Sequence, residues 1–158
     1  MLDIRIVLHP HDFSATPSAA LEVACVLARD YEAELILAHV VEPAFVTTVD
    51  GVPHPIPSGL AAGALDRLKA IQLPAPVAAV RHVVAVGMPV EEILRVAIAE
   101  KADLIVMGTH GRTGLARLGM GSVAEGVLRQ AACPVVIVRN LPPDPSLDAV
   151  LHPGQGAL

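Results

Sequence analysis

Five glycines fall between Gly108 and Gly121 in the stretch Gly108-Thr109-His110-Gly111-Arg112-Thr113-Gly114-Leu115-Ala116-Arg117-Leu118-Gly119-Met120-Gly121-Ser122. Residues without a Cβ, spaced this closely, let a ligand approach the backbone. Glycine admits positive φ, and successive amides can then turn inward to form a concave anion site. Ser122 opens an apolar-periodic stretch, so a helix N-terminus would lie at the end of the same loop. Its free N–H groups and dipole favour phosphate by about 0.3–1 kcal/mol for each charge interaction. The predicted chemistry is a phosphate cradle. A capping box, Ser122 with Glu125 three residues on, is the alternative that needs no ligand. It accounts for two residues and leaves the five glycines unexplained.

Familiar phosphate-loop patterns do not describe this loop. Gly119-Met120-Gly121-Ser122-Val123-Ala124 matches GxGxxA, but it follows the fourth predicted strand instead of occupying a first βα turn. A GxxxxGK[ST] pattern is absent, and the only lysines, Lys69 and Lys101, fall on other predicted helices. Arg112 and Arg117 lie within the loop, either as phosphate partners or as solvated surface arginines. His9, His11, His39 and His110 are metal-ligand residue types, yet no cysteine accompanies them and Asp12 is the only nearby carboxylate, so their spacing does not compose a metal site. Cys25 and Cys133 sit on different predicted elements with no CxxC pattern, which reads as two small packing thiols.

The elements that must position these residues follow from composition and periodicity. The 158 residues make one domain's worth of chain; 53% are hydrophobic and 17% charged, which excludes global disorder and calls for strands buried on both faces. A net charge of −5 with 2% aromatics argues against a nucleic-acid surface. No apolar run reaches the roughly 18 residues of a membrane span and the first residues lack a signal-peptide core, so the expectation is a cytoplasmic protein with no membrane partner.

Ile4–Leu8 predicts a first strand, stopped by Pro10, which removes a ladder donor. Thr16-Pro17 then opens a helix to about Tyr31, with Leu21, Ala24, Cys25 and Ala28 on its buried stripe. Leu35–Val41, Val80–Val86, Leu104–Met107 and Pro134–Arg139 predict four more strands. Helices are expected from Ser58 to Ile71, from the Gly87-Met88-Pro89 turn to near Lys101, and from Ser122 to about Ala132. Pro43 to Gly63 reads as a long loop, whether lid, partner site or disordered segment. Residues 1–140 thus form the domain, and 141–158, with four prolines and no period, a flexible tail. Five alternations of strand and helix predict a doubly wound parallel sheet that binds its ligand beyond the carboxyl ends of the strands.

At this point a resemblance appears. Gly108-x₂-Gly111-x₉-Gly121-Ser122 resembles the nucleotide-loop motif of the universal stress protein family, in its ATP-binding branch. Pro10-His11-Asp12-Phe13-Ser14, His39-Val40-Val41, Ala102–Gly108 and Cys133–Val138 are similar to other stretches of that family, and the likeness runs from about Asp3 to Arg139. It implies a five-stranded Rossmann-like sheet of order 3-2-1-4-5, with Asp12 facing the glycine loop. It further implies that the Val41 backbone reads the adenine edge, that Pro10 walls that pocket, and that Asp12 binds the ribose side. Met107, Gly108, Gly111 and Arg112 would line the site from one end of the loop, and Gly121, Ser122 and Val123 from the other. The implied cofactor is ATP, with a magnesium or manganese ion held through its phosphates and no protein ligand assigned to it. The implied partner is a second copy of the chain, paired through Val135–Val138.

Three functions remain open on the residues alone. One is an ATP-binding stress or signalling module with little turnover. Another is a slow ATP hydrolase or nucleotidyl-transfer enzyme of the same superclass, against which stand the missing phosphate-reaching lysine and the lack of a poised base. The third is a module for a different phosphorylated ligand.

Overall fold

The computed structural model describes residues 3–13, 19–42, 59–109 and 120–139. Among them strands and helices alternate: β1 (Ile6–Pro10), α1 (Ala19–Asp30), β2 (Glu34–Val41), α2 (Gly59–Lys69), β3 (Ala79–Val86), α3 (Pro89–Ala99), β4 (Leu104–Gly108), α4 (Ser122–Gln130) and β5 (Val135–Val138). The strands form one parallel sheet in the order β3-β2-β1-β4-β5. This is the doubly wound fold expected above.

Alternation along the buried strands sends successive side chains into two cores. Val7, Leu35, Leu37 and Val106 pack with Leu21, Cys25 and Leu68 beneath α1 and α2. Leu8, Ile36, Ile105 and Met107 pack with Ile93, Val96 and Val127 beneath α3 and α4. Cys25 is fully buried and Cys133 half-buried, both as free thiols whose pKa burial pushes up. Gly126 permits close approach of the two helices on the second face, since a Cβ there would lie 2.8 Å from Val90 Cγ2.

The described boundaries agree with the sequence reading to within two residues, and β1, displaced by two at both ends, shows what the sequence missed. It runs on through His9 to Pro10, because Pro10 pairs with Ala38 of β2 and the His11 N–H then reaches the Ala38 carbonyl at 2.7 Å. The proline ends a different ladder. Pairing of β1 with β4 stops at Leu8↔Ile105, where the next donor would be the N–H that Pro10 lacks. The seam between β1 and β4 is also the point where the chain reverses its direction of winding, so the sheet opens there at its carboxyl end. The Thr16-Pro17 helix start, residues 43–58 of the expected Pro43–Gly63 loop and the tail 141–158 lie outside the described residues, while Gly59 to Gly63 belong to α2.

Candidate functional site

The carbonyl of Val106 on β4 faces the donor that Pro10 cannot supply. His9 fills the gap: its Nδ1 lies 2.8 Å from Val106 O, which makes Nδ1–H the donor and leaves Nε2 as an acceptor. The ring is 2% exposed and Nε2 has no partner among the described residues. Burial pushes its pKa down to about 4, only partly opposed by the bond to Val106, so the imidazole is neutral. His11 is shifted down as well, by burial first, with Asp12 opposing.

Around this opening the strand ends present their residues in a definite parity. In a parallel ladder both backbone groups of a residue face the same neighbouring strand, and successive residues alternate. The Val41 carbonyl accepts the Gly87 N–H at 3.1 Å, so Val41 faces β3. Its neighbour Val40 faces β1, beyond the last rung at Pro10↔Ala38. Backbone contacts toward the crevice therefore belong to Val40, a residue the sequence reading passed over because parity depends on register.

On the β4 side, Met107 is buried in the second core and Gly108 ends the strand. The Thr109 N–H bonds Val138 O at 3.0 Å, and the Gly121 N–H bonds Thr109 O at 2.7 Å. The second bond draws the start of α4 against the end of β4, bringing Gly108, Gly121, Ser122 and Val123 together. Gly111, Arg112 and His110 lie outside the described residues.

Two expectations about this loop need correction. Positive φ is not what Gly108 and Gly121 provide: among the described residues Gly87 is the only glycine with positive φ, and Gly121 sits at φ −63, ψ 152. Room for a neighbour, not an unusual backbone, is their contribution. Nor is there a capping box. Gly121 is the N-cap, Ser122 is the first helical residue, no side chain caps the helix, and Glu125 pairs with Arg129 at 2.8 Å. Among the described residues the first-turn amides of α4 thus have no side-chain partner, which leaves them to an anion.

Asp12 lies just past β1, half-buried, flanked by His11 and Phe13. His39 Nδ1 is 2.7 Å from the His11 carbonyl. The Phe13 ring packs against the His39 ring with centroids 4.2 Å apart and a 42° tilt, and Arg67 of α2 lies over it at 4.1 Å. The His9 and His11 rings do converge, 5.7 Å apart, but His9 and His39 turn their Nδ1 atoms to the backbone carbonyls of Val106 and His11. Among the described residues no group of three or more His, Cys, Asp or Glu could hold a metal ion. Asp103 stands at the opposite end of the sheet, where it accepts the N–H groups of Arg5 and Ile6.

Comparison with known proteins gives this geometry a lineage. The model of the universal stress protein family matches residues 3–139. Over 140 residues the chain is 36% identical to universal stress protein MJ0531 of Methanocaldococcus jannaschii, covering 86% of this chain and 82% of that protein. The solved structure of MJ0577 from the same organism superposes with a TM-score of 0.73 at 29% identity, covering 89% of this chain and 99% of the other. A universal stress protein solved in complex with cAMP gives a TM-score of 0.58 at 29% identity, covering 87% and 98%.

Proposed function

Since the chain belongs to the universal stress protein family, we infer that it holds an adenine nucleotide, ATP first among candidates, in the opening between β1 and β4. The observation that carries this reading is the Gly121 N–H to Thr109 O bond, which sets the uncapped start of α4 beside the end of β4. Phosphates would lie on those amides and on Ser122, with Gly111 and Arg112 completing the loop. The ribose would meet Asp12, beside Pro10. The base edge would meet the backbone of Val40, because Val41 is turned to β3. A relative solved with cAMP supports an adenine ligand. A magnesium or manganese ion would be held through the phosphates; among the described residues no group of three or more His, Cys, Asp or Glu could hold one.

The output is occupancy, not chemistry. Backbone amides and a hydroxyl stabilise ground-state phosphate well, but a group that binds ground and transition states alike does not raise turnover. Phosphoryl transfer further calls for a phosphate-reaching lysine and a positioned nucleophile; Arg112 can hold phosphate, but no lysine lies between Gly108 and Ser122. Val135–Val138 forms a sheet edge of half-buried apolar residues, which suits pairing with a second copy. We place this dimer in the cytoplasm; no described helix is long and apolar enough to cross a membrane.

Calorimetry with ATP, ADP, AMP and cAMP tests the reading. Gly121→Val should abolish binding while far-UV circular dichroism stays native, because φ −63 suits any residue and only the space is lost. Retained affinity in that variant would sink the site. Steady-state hydrolysis with magnesium should fall far below the roughly 1–10³ per second of ordinary enzymes. Turnover within that range, lost in Gly121→Val, would favour the hydrolase instead.

A further inference from the structure

Phe13 holds φ 58, a left-handed conformation that bulky residues avoid. The other non-glycine residues with positive φ among the described residues, Glu32 and Lys101, have an ordinary reason for it. Each ends a helix, and the following amides close the last turn through Ala33 N–H to Ala28 O and Ala102 N–H to Ala97 O. Phe13 follows a strand, so no helix stop accounts for it. Its side chain does. The ring packs against His39 of β2 at 4.2 Å, tilted by 42°, meets the His11 ring edge-on at 5.6 Å, and lies under the Arg67 guanidinium at 4.1 Å.

The clamp works from both sides of Asp12. The preceding residue is held through its carbonyl, which accepts from His39 Nδ1 at 2.7 Å, and the following residue is held through its ring. Helix α2 packs on β2 and β3, so the Arg67–Phe13 contact carries its influence to the end of β1. Among the described residues Arg67 makes no ion pair, and the aromatic face is the partner it has.

We propose that Phe13, gripped between Arg67 and His39, is the positioning residue for the Asp12 carboxylate, and that through it α2 is coupled to the nucleotide site. The proposal rests on the reading above in which Asp12 faces the ligand. Coupling is reciprocal: whatever α2 does to Asp12, a ligand on Asp12 does to α2. An occupied site would thus be reported on the helix that follows residues 43–58.

Two measurements test it, and the first needs no nucleotide. In the free protein the ring-proton resonances of His39 carry the ring current of Phe13. Arg67→Ala should move them toward free-imidazole values, with the denaturation midpoint unchanged, and Arg67→Lys should restore them. Unmoved resonances would overturn the clamp. The second is a double-mutant cycle by ATP calorimetry. Phe13→Gly keeps the left-handed turn without strain, so the fold is not at risk from φ. It should weaken ATP about tenfold in the wild-type background and less than about twofold beside Asp12→Asn, as expected of residues acting through one contact. Equal losses in both backgrounds would show that Phe13 does not work through Asp12. Should the wild type take up no adenine nucleotide, the reading of the site falls, and the His39 resonances alone decide whether Arg67 holds Phe13.

Discussion

At the amino-terminal end of the sheet Asp103 answers the N–H groups of Arg5 and Ile6 at 2.9 and 3.0 Å, and Arg81 of β3 bridges Glu34 and Glu100, each at 2.6 Å. At the carboxyl end Pro10 withholds a donor, His9 replaces it at the expense of an unpartnered Nε2, Phe13 sits at φ 58, and α4 begins without a side-chain cap. One end satisfies its polar groups locally; the other leaves several for something else to meet. Unmet polar groups concentrated at one end of a fold mark where stability has been given up for binding. The same comparison ranks the changes that should hurt.

The largest effect should come from acid, through His9. Its folded pKa is near 4 against 6.5 in the unfolded chain, so between these values the unfolded state binds the extra proton. Stability is full above pH 6.5, falls as the pH drops through the window, and levels off near 4, a loss on the order of 3 kcal/mol. His11 and His82, also shifted down by burial, add to the slope in the same direction. Urea titrations from pH 7 to 4 should show the loss, and His9→Phe should flatten it while lowering stability at pH 7, since Val106 O then loses its donor. Superimposable pH profiles for the two proteins would show that His9 is not the acid-sensitive group.

Next in size is Asp103→Ala, which breaks the satisfied end. It frees two backbone donors from a carboxylate and should cost about 2 kcal/mol in denaturant unfolding. ATP affinity should stay within about twofold, because distant, unshared sites are nearly additive. A large loss of affinity would mean that the two ends are not independent and that the comparison fails.

The lateral edges differ as well. β3 carries Arg81 and His82 on its edge, whereas β5 is Val-Val-Ile-Val. Pro134 and Val138 turn their carbonyls to β4, so by parity Ile137 turns its backbone groups outward. Ile137→Pro removes an outward donor without touching the β4 ladder, at about 1 kcal/mol of lost side-chain packing. Light scattering should show the wild type as a dimer and the variant as a monomer. A monomeric wild type would remove the last strand from consideration as an interface.

Much of this was legible in the chain. Apolar runs of strand length closed by Pro and Gly located every strand, and the 3.6-residue stripe of Leu21, Ala24, Cys25 and Ala28 located α1. The strand order came from the family resemblance, not from periodicity. What stayed hidden depends on register. Whether Val40 or Val41 faces the crevice is a matter of parity, and a shift of one residue reverses it. That Pro10 would end the β4 ladder and not the β2 ladder, and that His9 would stand in for it, needs the positions of three strands at once. The grip of Arg67 on Phe13 joins residues 54 positions apart, and no local pattern announces it.

The smallest expected effect is the most discriminating. Under a capping box, Ser122→Ala would remove an N-cap and cost about 1 kcal/mol. Here Ser122 is the first helical residue, Gly121 is the cap, and Glu125 is engaged with Arg129. Alanine is the better helix former at such a position, so stability should change by no more than about 0.5 kcal/mol in either direction. The hydroxyl instead has its use at the mouth of the site. Losing one hydroxyl donor to an anionic phosphate should weaken ATP by about tenfold or more. Thermal denaturation and calorimetry on one preparation separate the two accounts. A full kcal/mol of lost stability with unchanged affinity would restore the cap and take α4 out of the site; unchanged stability with weakened binding would assign the start of the helix to the ligand.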